Sequence, residues 1–261
     1  MNRPNSLAAV AAKERPPASH NGILASLPAA EYAALLPELE WVHVPTGLHL
    51  DDFGGPVEHA YFPTQGIVSL VYTSEAGECS EVAVVGKEGM ISVTSFMADR
   101  APHSRALVRE PCFAYRLPAR RLKAKFLEGG ALQRLLLAYT EGLILNVTVT
   151  SLCNRHHTLE KQLCRWLLQS FDRAAADELH VTQELVAYLL GVRRQGVTEA
   201  VRRLEKRGVI TWARGVITVT DYAGLLAHAC ECYEVLRRTT ERLAAPGVAQ
   251  KRAQTLTDQT S

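Results

Sequence analysis

Apolar residues between Leu132 and Cys153 fall into two adjoining stripes. Leu132, Leu136, Tyr139, Leu143, Asn146, Thr150 and Cys153 repeat at a 4-3 spacing, and Leu135, Ala138, Gly142, Leu145, Val149 and Leu152 run beside them. This pattern predicts one long helix with two faces to cover. One face can pack on the rest of the chain. The other is most simply covered by the same helix of a second chain, which predicts a homodimer joined through Leu132, Leu136, Tyr139, Leu143 and Asn146, with Asn146 as a polar position that fixes register. The alternative is a single helix buried in the core of one chain.

Upstream, the pattern has a shorter period. Trp41 to Val44, His59 to Phe62, Ile67 to Tyr72, Glu81 to Val85 and Ala106 to Val108 are short runs rich in β-branched and aromatic residues. Pro45-Thr46-Gly47, Gly54-Gly55-Pro56, Thr64-Gln65-Gly66, Glu75-Ala76-Gly77 and Gly86 separate them with turn chemistry. Strands and turns in that rhythm predict a closed antiparallel β-roll or jelly roll. The switch to helix is expected after Gly129-Gly130.

Downstream, Thr158 and Lys161 open a helix over Leu159 to Phe171. Thr182 is the next N-cap, Leu185, Val186 and Leu189 give a short helix its apolar face, and Gly191 supplies a left-handed stop. Val197, Val201 and Leu204 then mark a second helix near 192–204. Two helices joined by a tight glycine turn form a helix-turn-helix. Val209 to Trp212 and Val216 to Val219 flank Ala213-Arg214-Gly215 as a hairpin, which makes the motif a winged one. One amphipathic helix, Tyr222 to Leu243, is expected to close the domain. The predicted class is therefore α+β, with a leader over 1–20, a β-roll over 21–129, a dimerisation helix over 130–155, a winged helix-turn-helix over 156–244 and a flexible tail over 245–261.

Composition narrows the setting. The chain has 261 residues, 47% hydrophobic and 21% charged, which is an ordinary globular profile. A net charge of +2 is too small to indicate nucleic acid or membrane by itself. The six cysteines form no C-x-x-C pair, so a reducing cytoplasm is the simpler setting. The run from Leu132 to Leu152 is interrupted by Arg134, Glu141 and Asn146, and no membrane span is expected from it.

Local charge is more informative than the total. Arg193, Arg194, Arg202, Arg203, Lys206, Arg207 and Arg214 stand against Glu199 and Glu205, a net +5 on the second helix and wing. Forked donors suit purine edges in the major groove, so Arg194 and Gln195 are the expected base readers. Arg202, Arg214 and the Thr182 hydroxyl are expected on phosphates, and Gln183, Arg193, Thr198 and Glu199 complete the candidate surface.

The order of a glycine-punctuated β-domain, a long two-striped helix and this winged motif resembles the Crp/Fnr, or catabolite activator, family of transcription regulators. Thr182, Gln183, Glu184, Gly191, Arg194 and Leu204 carry the match, which extends over about Leu24 to Val235. The resemblance implies double-stranded promoter DNA and a homodimer, with RNA polymerase as a further partner and no membrane. Where the family often has Glu after that Arg and Arg four residues later, this chain has Gln195 and Glu199, which implies a different preferred DNA sequence. The family's cyclic-nucleotide cassette needs a carboxylate for the ribose and a guanidinium for the phosphate. Its counterpart here is Lys87, Glu88, Gly89 and Met90, then Ser104 and Arg105. Met90 stands in the carboxylate place and Arg105 comes one residue late, which on a strand turns it to the other face. Cyclic AMP is therefore not expected as the ligand: the pocket is either empty or takes an unknown small effector through Lys87, Glu88 and Arg105.

Other chemistries are weakly written. No nucleophile elbow, paired catalytic carboxylates or phosphate loop is visible, so no enzyme is expected. His156-His157 near Cys153, and His228 with Cys230 and Cys232, offer metal ligands. On a continuous helix, positions 228, 230 and 232 point apart, so no metal site is expected. A competing reading is a β-barrel holding a ligand or metal through His43, His49, His59 and His103, with a basic domain that binds a protein partner.

Overall fold

The computed structural model describes residues 15–50, 57–98 and 104–243. Residues 1–14 of the expected leader, His103, Gly54-Gly55-Pro56 and the expected tail lie outside the described residues. Arg15 to His20, expected in a loose leader, instead pack onto the β-domain. Arg15 lies over the Tyr115 ring at 4.7 Å and donates to its hydroxyl at 2.8 Å, and Ala18 is buried.

Two short helices follow, α1 (Gly22–Ala25) and α2 (Ala29–Leu35), and then β1 (Glu40–Val44), β2 (His59–Thr73), β3 (Cys79–Val85), α3 (Thr94–Met97) and β4 (Arg105–Pro118). The four strands form one antiparallel sheet in the order β1-β4-β2-β3. Two expected strands and the Thr64-Gln65-Gly66 turn between them are one long strand, β2. Gly66 has φ +99, and a side chain there would meet the Pro111 carbonyl oxygen at 2.5 Å, so the glycine makes a bulge where β2 bends along β4. Asn21 is fully buried: its oxygen caps α1, and its amide donates to the Pro63 and Gly89 carbonyls at 2.9 and 2.7 Å.

The switch to helix comes ten residues earlier than expected, at α4 (Ala119–Glu128), before Gly129-Gly130. Both glycines have positive φ, 83 and 89°, and turn the chain into α5 (Gly130–His156), whose first amides are capped by the Glu31 carboxylate at 3.0 Å. Those bonds hold Glu31 below the usual carboxylate range.

The first stripe of α5 is covered as expected, but by its own chain, and of the second stripe only Leu152 lies on the exposed apolar face. Leu132, Leu136 and Tyr139 are buried in their own chain with Phe62, Met90, Tyr115 and Leu122. Leu143 and Asn146 are half-buried on the same side. The predicted dimer contacts are thus mostly core, because an apolar stripe reports that a face is covered and not by what. The outward face carries Leu137, Ile144 and Leu152, exposed at 51, 61 and 52%. Contrary to the reading of its polar interruptions, α5 is long and apolar enough to cross a membrane, with mean hydropathy 1.4. Its inner face is nevertheless occupied by the β-domain core.

After α6 (Leu159–Phe171) come β5 (Glu178–His180), α7 (Gln183–Leu190), α8 (Arg194–Lys206), β6 (Ile210–Ala213), β7 (Val216–Val219), α9 (Tyr222–His228) and α10 (Glu231–Leu243). The expected single closing helix is therefore two, separated at Ala229, whose ψ of 164° is extended. No glycine or proline marks that break.

The C-terminal half packs against the sheet through one apolar cluster that joins Ile67, Val71, Cys79 and Val84 to Trp166, Leu190 and Ile217. Two buried arginines cross the same boundary. Arg109 stacks over Trp166 at 4.5 Å and donates to Ser170 Oγ at 3.0 Å. Arg173 donates to Glu88 Oε1 at 2.6 Å and to the Gln169 carbonyl at 2.9 Å.

Candidate nucleic-acid interface

Local chemistry sets the helix-turn-helix. Thr182 is extended and its hydroxyl accepts from the Leu185 amide at 3.1 Å, which starts α7. Gly191 ends α7 in the left-handed region at φ +67, and the Val192 amide reaches back to the Ala187 carbonyl at 3.0 Å. Arg193 is extended and releases the chain into α8.

One face of α8 anchors it. Val197, Ala200, Val201 and Leu204 are buried, and Gly196 lets the helix approach α6 so closely that a side chain there would meet Leu159 at 2.9 Å. Thr198 Oγ1 donates to Gln183 Oε1 at 2.7 Å and ties α8 to α7. The opposite face presents Arg194, Gln195, Glu199 and Arg202 to solvent, with Arg193 exposed just before it. Gln195 Nε2 is 3.3 Å from Glu199 Oε1, so the two residues that depart from the family pattern hydrogen-bond to each other.

The wing adds one more cation. β6 and β7 pair from Ile210↔Val219 to Ala213↔Val216, and Arg214-Gly215 turn between them with φ +53 and +80. Two positive φ values are the twist a tight hairpin prefers, and they leave the Arg214 side chain exposed at the tip. Glu205 accepts from the Trp212 amide at 2.9 Å and holds the wing to α8.

The basic charge divides into two groups. Arg203 is 2.9 Å from Glu160, which also pairs with Arg207, so these two cations brace α8 against α6. Arg193, Arg194, Arg202, Lys206 and Arg214 are exposed and give the face its positive charge. Spacing alone did not separate them, because Glu160 lies 43 residues before Arg203.

The six effector candidates are divided between buried and exposed positions. Glu88 is engaged by Arg173, and Gly89 lies under the Tyr139 ring, where a side chain would meet a ring carbon at 2.4 Å. Met90 is fully buried in the core, with its carbonyl accepting from the Tyr139 hydroxyl at 2.8 Å. Lys87 and Arg105 are exposed, Ser104 is half-buried, and Arg105 opens β4 opposite Val71. The stretch therefore builds the boundary between the two halves of the chain. Of the barrel histidines, His43 packs on Phe113 at 4.7 Å and His59 packs near Tyr61.

Comparison with known proteins adds a domain match and a fold likeness. Residues 161–228 match the Crp-like helix-turn-helix domain. A chain assigned to the Crp/Fnr family of transcriptional regulators from Eubacterium rectale superimposes with a TM-score of 0.62 at 18% identity, covering 84% of this chain and 99% of that one. FixK2 from Bradyrhizobium japonicum gives 0.61 at 15% identity, covering 74% and 98%. TTHB099, a CRP-family transcriptional regulator from Thermus thermophilus, gives 0.60 at 18% identity, covering 72% and 95%. No curated protein sequence matches the chain. The chain carries a Crp-like helix-turn-helix domain on the fold of the Crp/Fnr family of DNA-binding transcription regulators.

Proposed function

We propose that this protein is a sequence-specific transcription regulator that binds a near-palindromic promoter site as a homodimer and is not an enzyme. The observation that carries the reading is α8, which is apolar where it meets its own domain and lined by Arg194, Gln195, Glu199 and Arg202 on its outward face. In this reading α8 enters the major groove, Arg194 and Gln195 meet base edges, and Thr182, Arg202 and Arg214 hold phosphates. The dimer forms along Leu137, Ile144 and Leu152 of α5, the apolar face that its own chain leaves exposed. Gln183, Thr198 and Arg193 position the reading helix.

The N-terminal domain acts as a sensory module with a degenerate nucleotide cassette. Cyclic AMP is poorly matched to it, because Met90 is core where a ribose would need an acceptor and Glu88 already serves Arg173. A buried polar group left without its partner costs about 1–3 kcal/mol, more when charged.

Arg194→Ala should weaken the preferred site by on the order of 1–3 kcal/mol and relax preference at one base pair per half-site. Arg214→Asn keeps a residue that tolerates positive φ at the wing tip but removes the charge, and it should weaken all sequences alike and flatten the salt slope. Fluorescence anisotropy against a matched and a scrambled duplex, over a range of salt, measures both. Equal loss on both duplexes for Arg194→Ala would exclude it as a base reader.

A further inference from the structure

We propose that Cys153, His157, Cys230 and Cys232 form a four-ligand site for a zinc-class divalent ion, which fastens α10 to the end of α5. Four ligand atoms, one from each residue, lie within 4.8 Å of one another, and among the described residues this is the one such group of three or more. The three cysteines are buried, and the His157 side chain is 14% exposed.

The spacings suit a tetrahedron. Zinc bonds of about 2.3 Å to sulfur and about 2.0–2.1 Å to nitrogen imply edges of about 3.8 Å between sulfurs and about 3.6 Å between sulfur and nitrogen. Cys153 Sγ and Cys230 Sγ are 3.5 Å apart, and Cys232 Sγ is 3.6 Å from His157 Nδ1. Sulfurs that far apart are not bonded, since a disulfide is about 2.05 Å long.

Each ligand is presented by its backbone. Cys153 lies in the last turn of α5 and His157 caps it, with the His157 amide donating to the Cys153 carbonyl at 3.0 Å, so both residues sit at the same helix end. Cys230 immediately precedes α10 and Cys232 is its second residue, so both sulfurs sit at a helix N-terminus, where negative charge is favoured. The break at Ala229 makes this possible, because residues 230 and 232 would diverge on a continuous helix. His228, on the other side of the break, bonds the Gly224 carbonyl at 2.8 Å and takes no part.

The surroundings complete the set. His157 Nε2 faces Glu231 Oε1 at 3.3 Å, the carboxylate partner that fixes a ligating imidazole and turns its other nitrogen to the metal. Three thiolates and one divalent ion leave one net negative charge on the proposed site. With four protein donors the site is closed, which is the pattern of a structural ion and not of a catalytic one. The clamp spans the junction between α5 and α6, where the long helix hands over to the winged domain.

The test uses the full chain, reduced and freed of metal by a chelator, and titrated with Co²⁺ and then Zn²⁺. One equivalent per chain should give the intense visible bands of tetrahedral cobalt with thiolate charge transfer, bleached by zinc. Cys232→Ser and His157→Ala should each weaken binding at least tenfold, whereas His157→Cys should keep the tetrahedral spectrum with stronger charge transfer. Zinc should raise the melting temperature of the unsubstituted chain and not that of Cys232→Ser. A pale octahedral spectrum, binding that ignores both substitutions, or a Cys153–Cys230 disulfide with no metal uptake would overturn the site. No DNA enters these measurements, so their outcome is separate from the reading of α8.

Discussion

Leu137→Asp combined with Ile144→Asp should give a folded monomer whose affinity for a palindromic duplex is lower by about 10²- to 10⁴-fold, the gain ordinarily supplied by joining two half-site contacts. Both side chains are more than half exposed on α5, so charging them leaves the core of one chain intact. Leu136→Asp is the contrast. Leu136 is fully buried between α5 and the β-domain, where even truncation to alanine costs about 2–5 kcal/mol, so an aspartate there should leave the chain unfolded and not monomeric. Light scattering reports the oligomeric state and circular dichroism the fold. A dimer of undiminished affinity in the Leu137/Ile144 variant would move the interface off this face.

The second large effect belongs to the boundary between the two halves. Glu88→Ala should cost about 3–5 kcal/mol in chemical denaturation, because it leaves the Arg173 guanidinium buried without its carboxylate. Glu88 also accepts from the Gly86 amide at 3.1 Å, and Arg173 also bonds the Gln169 carbonyl, so the pair ties the β-domain to the end of α6. Changing both residues, Glu88→Ala with Arg173→Met, should recover much of the loss, since buried pairs are often replaceable by apolar packing. A single-variant loss below about 1 kcal/mol would mean the pair behaves as a screened surface bridge. The substitution also bears on the effector expectation: Glu88, expected to touch an effector, is the residue that joins the β-domain to the C-terminal half.

The parts of this fold that could be read from the sequence are those fixed within a few residues. Thr182, Gly191 and the Val197-Val201-Leu204 spacing locate α7, the turn and α8, because capping, positive φ and helical period are local rules. Periodicity also found α5 and its two faces. It missed the outward apolar pair, since Leu137 and Ile144 belong neither to the Leu132-Leu136-Tyr139 stripe nor to the Leu135-Ala138-Gly142 stripe beside it, and only the packed chain shows that they are left exposed. Gly66 read as a turn because its positive φ serves a bulge as well as a turn, and the deciding neighbour, Pro111, is 45 residues away.

The candidate site shows the same division. Arg193, Arg194, Gln195, Arg202 and Arg214 were placed by helix and hairpin geometry, and the structure leaves them exposed. Arg203 and Arg207 were grouped with them until Glu160 engaged both. Cys153 and Cys230 are 77 residues apart, and the break at Ala229 that aims Cys230 and Cys232 together carries no glycine or proline, so spacing argued against a cluster that folding assembles.

Selection of binding sites from a pool of random duplexes by the purified protein reads its symmetry and its base preference together. An inverted repeat whose half-sites lie about one helical turn apart should be enriched, with the symmetry lost in the Leu137/Ile144 variant and one position per half-site relaxed in Arg194→Ala. Recovery of unrelated sequences with no inverted repeat, at an affinity that ignores Arg194, would contradict it.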